Sequence, residues 1–215
     1  MDQQHPSPSR WAIVLAGGEG TRMQPLVHRW LGFNRPKQYC AFVGSRSMFQ
    51  HTVDRAALVT APERIVAVVG RDHRDEILTQ LQGRTIGQVI YQPRNCETAA
   101  GLFLPLTYIH ARAPDATVVI FPSDHFIHPE DRFLAAVGRI AELAETLPDR
   151  LVLLGIRPDR LEMEYGWILP GTALSSPEEA PICEVHSFME KPSRIQAVKA
   201  FRHGALWNTF VFAAR

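Results

Sequence analysis

Residues 12–26 read AIVLAGGEGTRMQPL. The apolar run Ala12–Ala16 leads into Gly17 and Gly18, then Glu19, Gly20, Thr21 and Arg22. A continuous apolar run bounded by turn residues fits a strand covered on both faces of a parallel sheet. The glycines after it leave backbone N–H groups open to an anion, with no Cβ in the way. Arg22 adds a forked positive charge. A glycine-rich turn with no ligand would have the same residues, so the loop alone leaves both readings open. The spacing is not G-x-G-x-x-G, and no G-x-x-x-x-G-K-[ST] occurs, so neither a dinucleotide fingerprint nor a P-loop is present.

The same grammar recurs along the chain. Strands are predicted at Trp11–Ala16, Arg64–Val69, Gln88–Tyr91, Thr117–Phe121, Leu151–Leu154, Cys183–Glu190 and Leu206–Ala213. Helices are predicted at Ser47–Thr60, with Ser47 and Gln50 as a capping box, at Thr98–Ala111, with a kink at Pro105, and at Pro129–Leu147, with Pro129 in the first turn. A second capping box, Ser193 with Gln196, opens another. Alternating strands and helices predict an α/β fold, a Rossmann-like, mainly parallel (mixed) sheet with helices on both faces. We expect one domain over residues 11–215, preceded by a mobile, polar, proline-rich arm at residues 1–10.

Composition excludes several function classes. The 215 residues are 46% hydrophobic and 21% charged, with a net charge of +1. That balance gives no counter-charge for nucleic acid or an anionic membrane, so an anionic ligand needs a local cluster. Cys40, Cys96 and Cys183 form no C-x-x-C pair, which fits the reducing cytoplasm. No apolar signal core or membrane-length run is present.

Two further stretches carry chemistry. RPKQY places Lys37 after Pro36, where a stiffened backbone aims the side chain; an exposed structural lysine is the competing reading. FPSDHFI places Asp124 just beyond an apolar strand, suited either to Mg²⁺ beside phosphate oxygens or to capping a turn. His125 and His128 lack a third clustered ligand and do not make a zinc site.

LAGGEGTRMQPL, RPKQY, QPRNCETAAG, FPSDHFI, EYGW, FMEKPS and LWNTFVF follow one another in an order that resembles the sugar-phosphate nucleotidyltransferases, and most of all their mannose-1-phosphate guanylyltransferase branch. The likeness runs from Trp11 to about Ala213 and implies the nucleotide-diphospho-sugar transferase type of fold. It implies GTP and mannose-1-phosphate as partners, and Mg²⁺ as cofactor. Leu15, Ala16, Gly17, Gly18, Gly20 and Thr21 would wrap the nucleotide, with Gln92, Asn95 and Thr98 near the base. Arg22, Lys37 and Asp124 would be the catalytic group, Asp124 as metal ligand. Gly166, Glu190 and Asn208 would surround the sugar, and Lys191 would hold its phosphate.

The chemistry suits these residue types. A sugar-1-phosphate oxygen is already ionised near neutrality and needs no general base, so cations, a metal and rigid donors suffice. Some positions depart from the family pattern: Met23, Cys96–Glu97, Ala100 and Phe210. The resemblance implies a second acidic metal ligand beyond Arg215, so the chain reads as C-terminally short. That predicts binding better than turnover, and a final strand left bare enough to favour a homo-oligomer. A nucleotide-binding or regulatory domain without turnover is the main alternative; an unrelated doubly wound oxidoreductase is a weaker one.

Overall fold

The structure is a computed structural model that describes residues 10–94, 97–175 and 181–215. It contains two compact units: one ends at Val152 and is joined by Phe212–Arg215, and the other is Leu153–Val211.

The larger unit begins with β1 (Arg10–Ala16). A short 3-10 turn at Thr21–Met23 leads into α1 (Gln24–Leu31), and another at Lys37–Tyr39 precedes α2 (Met48–Ala56). There follow β2 (Ile65–Gly70), α3 (Arg74–Gln80), β3 (Gln88–Gln92), α4 (Glu97–His110), β4 (Thr117–Pro122) and α5 (Glu130–Thr146). β1 pairs in parallel with β2 on one side and β4 on the other, and β3 pairs in parallel with β2. Phe212–Ala214 adds an antiparallel partner to β4.

The pleat sends alternate side chains to opposite faces. Ile13, Val66, Val68, Val118 and Ile120 pack on one face with Ile109, and Leu102 and Leu106 of α4 join them. On the other face Phe121, in register with Val14, meets Phe133 of α5 at 6.5 Å between ring centroids. α2 also contacts β1 and β4. Helices therefore cover both faces of a mainly parallel sheet, which is why IVAVV and TVVIF are apolar throughout.

The smaller unit holds β5 (Val152–Ile156, from its second residue), β6 (Gly166–Ala173), β7 (Cys183–Glu190), α6 (Arg194–Arg202) and the start of β8 (Leu206–Ala214). β6 pairs antiparallel with β7 and with β8. Trp167, Trp207, Ala197, Ala200 and Ala205 form its core. Both predicted capping boxes are made, Ser47 with Gln50 and Ser193 with Gln196.

Several expectations need correction. Arg10 belongs to β1 and not to the arm, because Glu145 holds its guanidinium at 2.7 Å and Thr60 Oγ1 donates to its carbonyl at 2.6 Å. Residues 1–9 lie outside the described residues. Pro129 is the N-cap of α5, not part of its first turn. The final strand is not bare: its end pairs with β4, its start pairs with β6, and Val211 and Ala213 are buried. Among the described residues no helix is long and apolar enough to cross a membrane.

Ile13 lies at the centre of the doubly paired strand and is fully buried. Ile13→Ala should lower unfolding free energy by about 2–5 kcal/mol, read from the urea midpoint. A loss below about 1 kcal/mol would mean that this face is not close-packed.

Candidate active site

In the larger unit the strands run in the order β3-β2-β1-β4. The chain builds outward from β1 to one side and then returns to its other side, so the strand order reverses between β1 and β4. Ligands of open α/β sheets bind at the carboxyl ends of strands, at such a reversal. The glycine loop leaves β1 there, and Ser123–Asp124 leaves β4 there. Leu15 is in register with Pro122, and the Ser123 backbone N–H and Oγ both donate to Leu15 O, at 3.1 and 2.6 Å. This fixes the turn that carries Asp124 directly to the strand that carries the loop.

Loop shape comes from its neighbours. A Cβ on Gly17 would stand 2.6 Å from Gln92 Oε1, so the loop passes tightly over the buried end of β3. Gly20 has φ +61°, and a Cβ there would lie 3.1 Å from the Lys37 backbone nitrogen. A side chain at Gly20 would meet both a left-handed backbone and a tight contact. Gln38 Nε2 donates to Ala16 O at 3.0 Å and Gly18 O at 2.7 Å, and Tyr39 OH donates to Ala16 O at 3.3 Å. Burial pushes the Tyr39 phenol well above its ordinary value, so it keeps the proton it donates. Gly18, Thr21 and Arg22 stay exposed on the outer side.

Lys37 Nζ forms an ion pair with Asp124 Oδ2, and His125 Nε2 lies 3.9 Å from Oδ1. Both members of the pair are about one-third exposed, at 36% and 30% of the side chain. Burial holds the His125 imidazole below its ordinary value, against the opposing pull of Asp124, and so favours the neutral ring. Arg55, itself buried, reaches from α2 to His125 O at 3.4 Å and to Glu130 at 3.3 Å.

Among the described residues no three His, Cys, Asp or Glu side chains gather to hold a metal. One carboxylate fits Mg²⁺, which keeps waters and takes substrate phosphate oxygens as ligands, and does not make a structural zinc site. On either side of Gln92, Tyr91 and Pro93 line a cavity of ≈ 400 Å³ with Arg71, Asp72 and Arg74. Thr98 is an exposed residue near the start of α4. Asn95 lies outside the described residues.

The other predicted residues belong to the smaller unit. Gly166 opens β6 opposite Glu190, and a Cβ on it would lie 2.9 Å from Glu190 Oε2. Lys191, directly after β7, has φ 44°. Asn208 Oδ1 accepts from the Phe210 backbone N–H at 3.0 Å, and Phe210 has φ 58°. That left-handed backbone is one a glycine would adopt without strain. Thr209 Oγ1 donates to Leu154 O at 2.6 Å and fixes the irregular stretch to β5.

Three comparisons bear on this geometry. The family model for nucleotidyl transferases matches residues 11–215. The xanthan biosynthesis protein XanB of Xanthomonas campestris pv. campestris is 34% identical over 206 residues, covering 94% of this chain and 41% of that protein. A mannose-1-phosphate guanylyltransferase of Escherichia coli is 30% identical over 210 residues, covering 95% of this chain and 42% of that protein. A solved structure described as a mannose-1-phosphate geranyltransferase from Thermus thermophilus superimposes with a TM-score of 0.80 at 30% identity, over 96% of this chain and 57% of that one. The chain thus spans less than half the length of the curated relatives it matches.

Lys191 occupies a backbone region that costs a non-glycine residue roughly 1–2 kcal/mol. Lys191→Gly should therefore be more stable than Lys191→Ala by about 1 kcal/mol, read as a higher thermal midpoint. A glycine variant less stable than the alanine variant would show that the backbone here is unstrained.

Proposed function

The chain belongs to the nucleotidyl transferase family, and from that premise we propose that it transfers a nucleoside monophosphate from a triphosphate to a sugar-1-phosphate. GTP and mannose-1-phosphate are the favoured pair, on the strength of the E. coli guanylyltransferase; the Thermus structure supports mannose-1-phosphate alone. The observation that carries the proposal is the meeting of the Gly17–Gly20 loop with Lys37 and Asp124 at one sheet edge.

A phosphate oxygen of the sugar-1-phosphate attacks the α-phosphorus. The bond from that phosphorus to the bridging β-oxygen breaks, and pyrophosphate leaves with the electron pair. No proton moves, so no general base is needed. The difficulty is bringing two polyanions together. The loop presents bare backbone and Lys37 supplies an ammonium group beside it, while Lys191 serves the sugar phosphate in the smaller unit. Glu190 and Asn208 suit sugar hydroxyls, one as acceptor and one through its remaining amide N–H donors. Mg²⁺, when bound at Asp124, adds positive charge to the phosphate oxygens. A second reading is nucleotide binding without turnover, favoured because no group of three His, Cys, Asp or Glu side chains able to hold a metal occurs among the described residues.

The test is pyrophosphate release by the purified chain, with several nucleoside triphosphates crossed against several sugar-1-phosphates. Release with GTP and mannose-1-phosphate above all other pairs is the expected result. GTP binding without release from any pair would establish the second reading, and neither binding nor release would end both.

Two substitutions sharpen the assignment. Asp124→Asn should nearly abolish magnesium-dependent release while the fold persists; unchanged release would remove Asp124 from the site. Lys191→Ala should raise KM for the sugar phosphate by roughly 10- to 150-fold, the loss of one charge-assisted contact. Its KM for nucleotide should move far less. An equal rise in both would contradict the division of roles.

A further inference from the structure

Gln38 takes no part in the proposed chemistry, yet it is nearly sealed from solvent, at 3% exposure. A carboxamide nitrogen carries two N–H donors. Both are engaged with the loop, at Ala16 O (3.0 Å) and Gly18 O (2.7 Å). Tyr39 OH reaches Ala16 O from the same 3-10 turn. The carbonyl groups on either side of Gly17 are thereby turned into the protein.

That orientation matters for an anion. A carbonyl oxygen facing a polyphosphate repels it, while a backbone N–H attracts it. A stretch with glycine at positions 17, 18 and 20 has almost no side chains to fix its path, and glycine has the most backbone freedom to lose. An untethered loop would order itself only on binding, and affinity would fall by that cost.

We infer that Gln38 is a positioning residue: it holds the Gly17–Gly20 loop in its anion-binding shape before any ligand arrives. The inference deepens the proposed function, and its affinity arm rests on that reading. Its order arm does not.

The order arm is NMR relaxation on the ligand-free wild-type chain. Amides of Gly17, Gly18, Glu19 and Gly20 should show order parameters near about 0.85, as rigid backbone does. Values below about 0.6 would overturn the inference without any variant. Gln38→Met keeps the length and removes both donors. In it the loop amides should loosen while those of Ala12–Leu15 stay rigid. Its dissociation constant for magnesium–GTP should rise about tenfold or more, with KM for the sugar phosphate within about threefold of wild type. Gln38→Glu, which sets a carboxylate against two carbonyl oxygens, should bind more weakly than the methionine variant. A purely structural glutamine would lower the unfolding midpoint and move both substrates alike, and that result contradicts positioning. So does a methionine variant with an ordered loop and wild-type affinity. A wild-type chain that binds no GTP but whose loop loosens in Gln38→Met would support positioning and contradict the nucleotide reading.

Discussion

Parallel pairing of β1 on both of its sides is the constraint from which the rest follows. A strand held between two parallel neighbours has its carboxyl end at the same edge as theirs. Here that end lies where the chain reverses its direction of building, so no crossover helix covers it. The glycine loop and the Asp124 turn are consequences of that edge. The two hydrogen bonds from Ser123 to Leu15 O bind one to the other. Apolar burial on both faces holds β1 in place, and loss of packing there reaches the site through the strand itself.

The site is charge-balanced before any ligand arrives. Lys37 and Asp124 neutralise each other, about one-third exposed to solvent, where such a pair contributes little to stability. On the proposed function, an arriving nucleotide with its metal would offer each member a better partner: phosphate oxygens for the ammonium group, a divalent cation for the carboxylate. Little is lost on exchange because the pair is weak. The backbone around it is held by stronger constraints, the Gln38 amide below the loop and the Arg55 guanidinium behind His125. Rigid backbone with exchangeable charges is what electrostatic catalysis of phosphoryl-type transfer asks of a protein.

The parallel core of the larger unit was legible because its strands are buried on both faces and so read as unbroken apolar runs. Both capping boxes were legible because their geometry is local to four residues. α1 was missed because it is only eight residues long and Val27 is its one buried residue. α3 is seven residues long, too short to display a period. β6 was missed because GWILPGTA carries Gly166, Pro170 and Gly171, which normally punctuate strands; it forms through its pairing with β7, with register shifts at Leu169/Pro170 and Pro170/Ala173. At the site, Lys37 and Asp124 could be proposed from their flanks. Their pairing could not, since it joins residues far apart in sequence. Gln38, Tyr39 and Ser123 went unread for the same reason: a buried polar residue shows its role only through partners that the fold supplies.

A crystal structure of the chain with magnesium and GTP tests this most directly. The triphosphate should lie against the Gly17–Gly20 loop, with Lys37 Nζ turned from Asp124 to phosphate oxygens and the Asp124 carboxylate on the metal. A nucleotide seated away from that loop, or a Lys37–Asp124 pair left intact beside bound triphosphate, would contradict it.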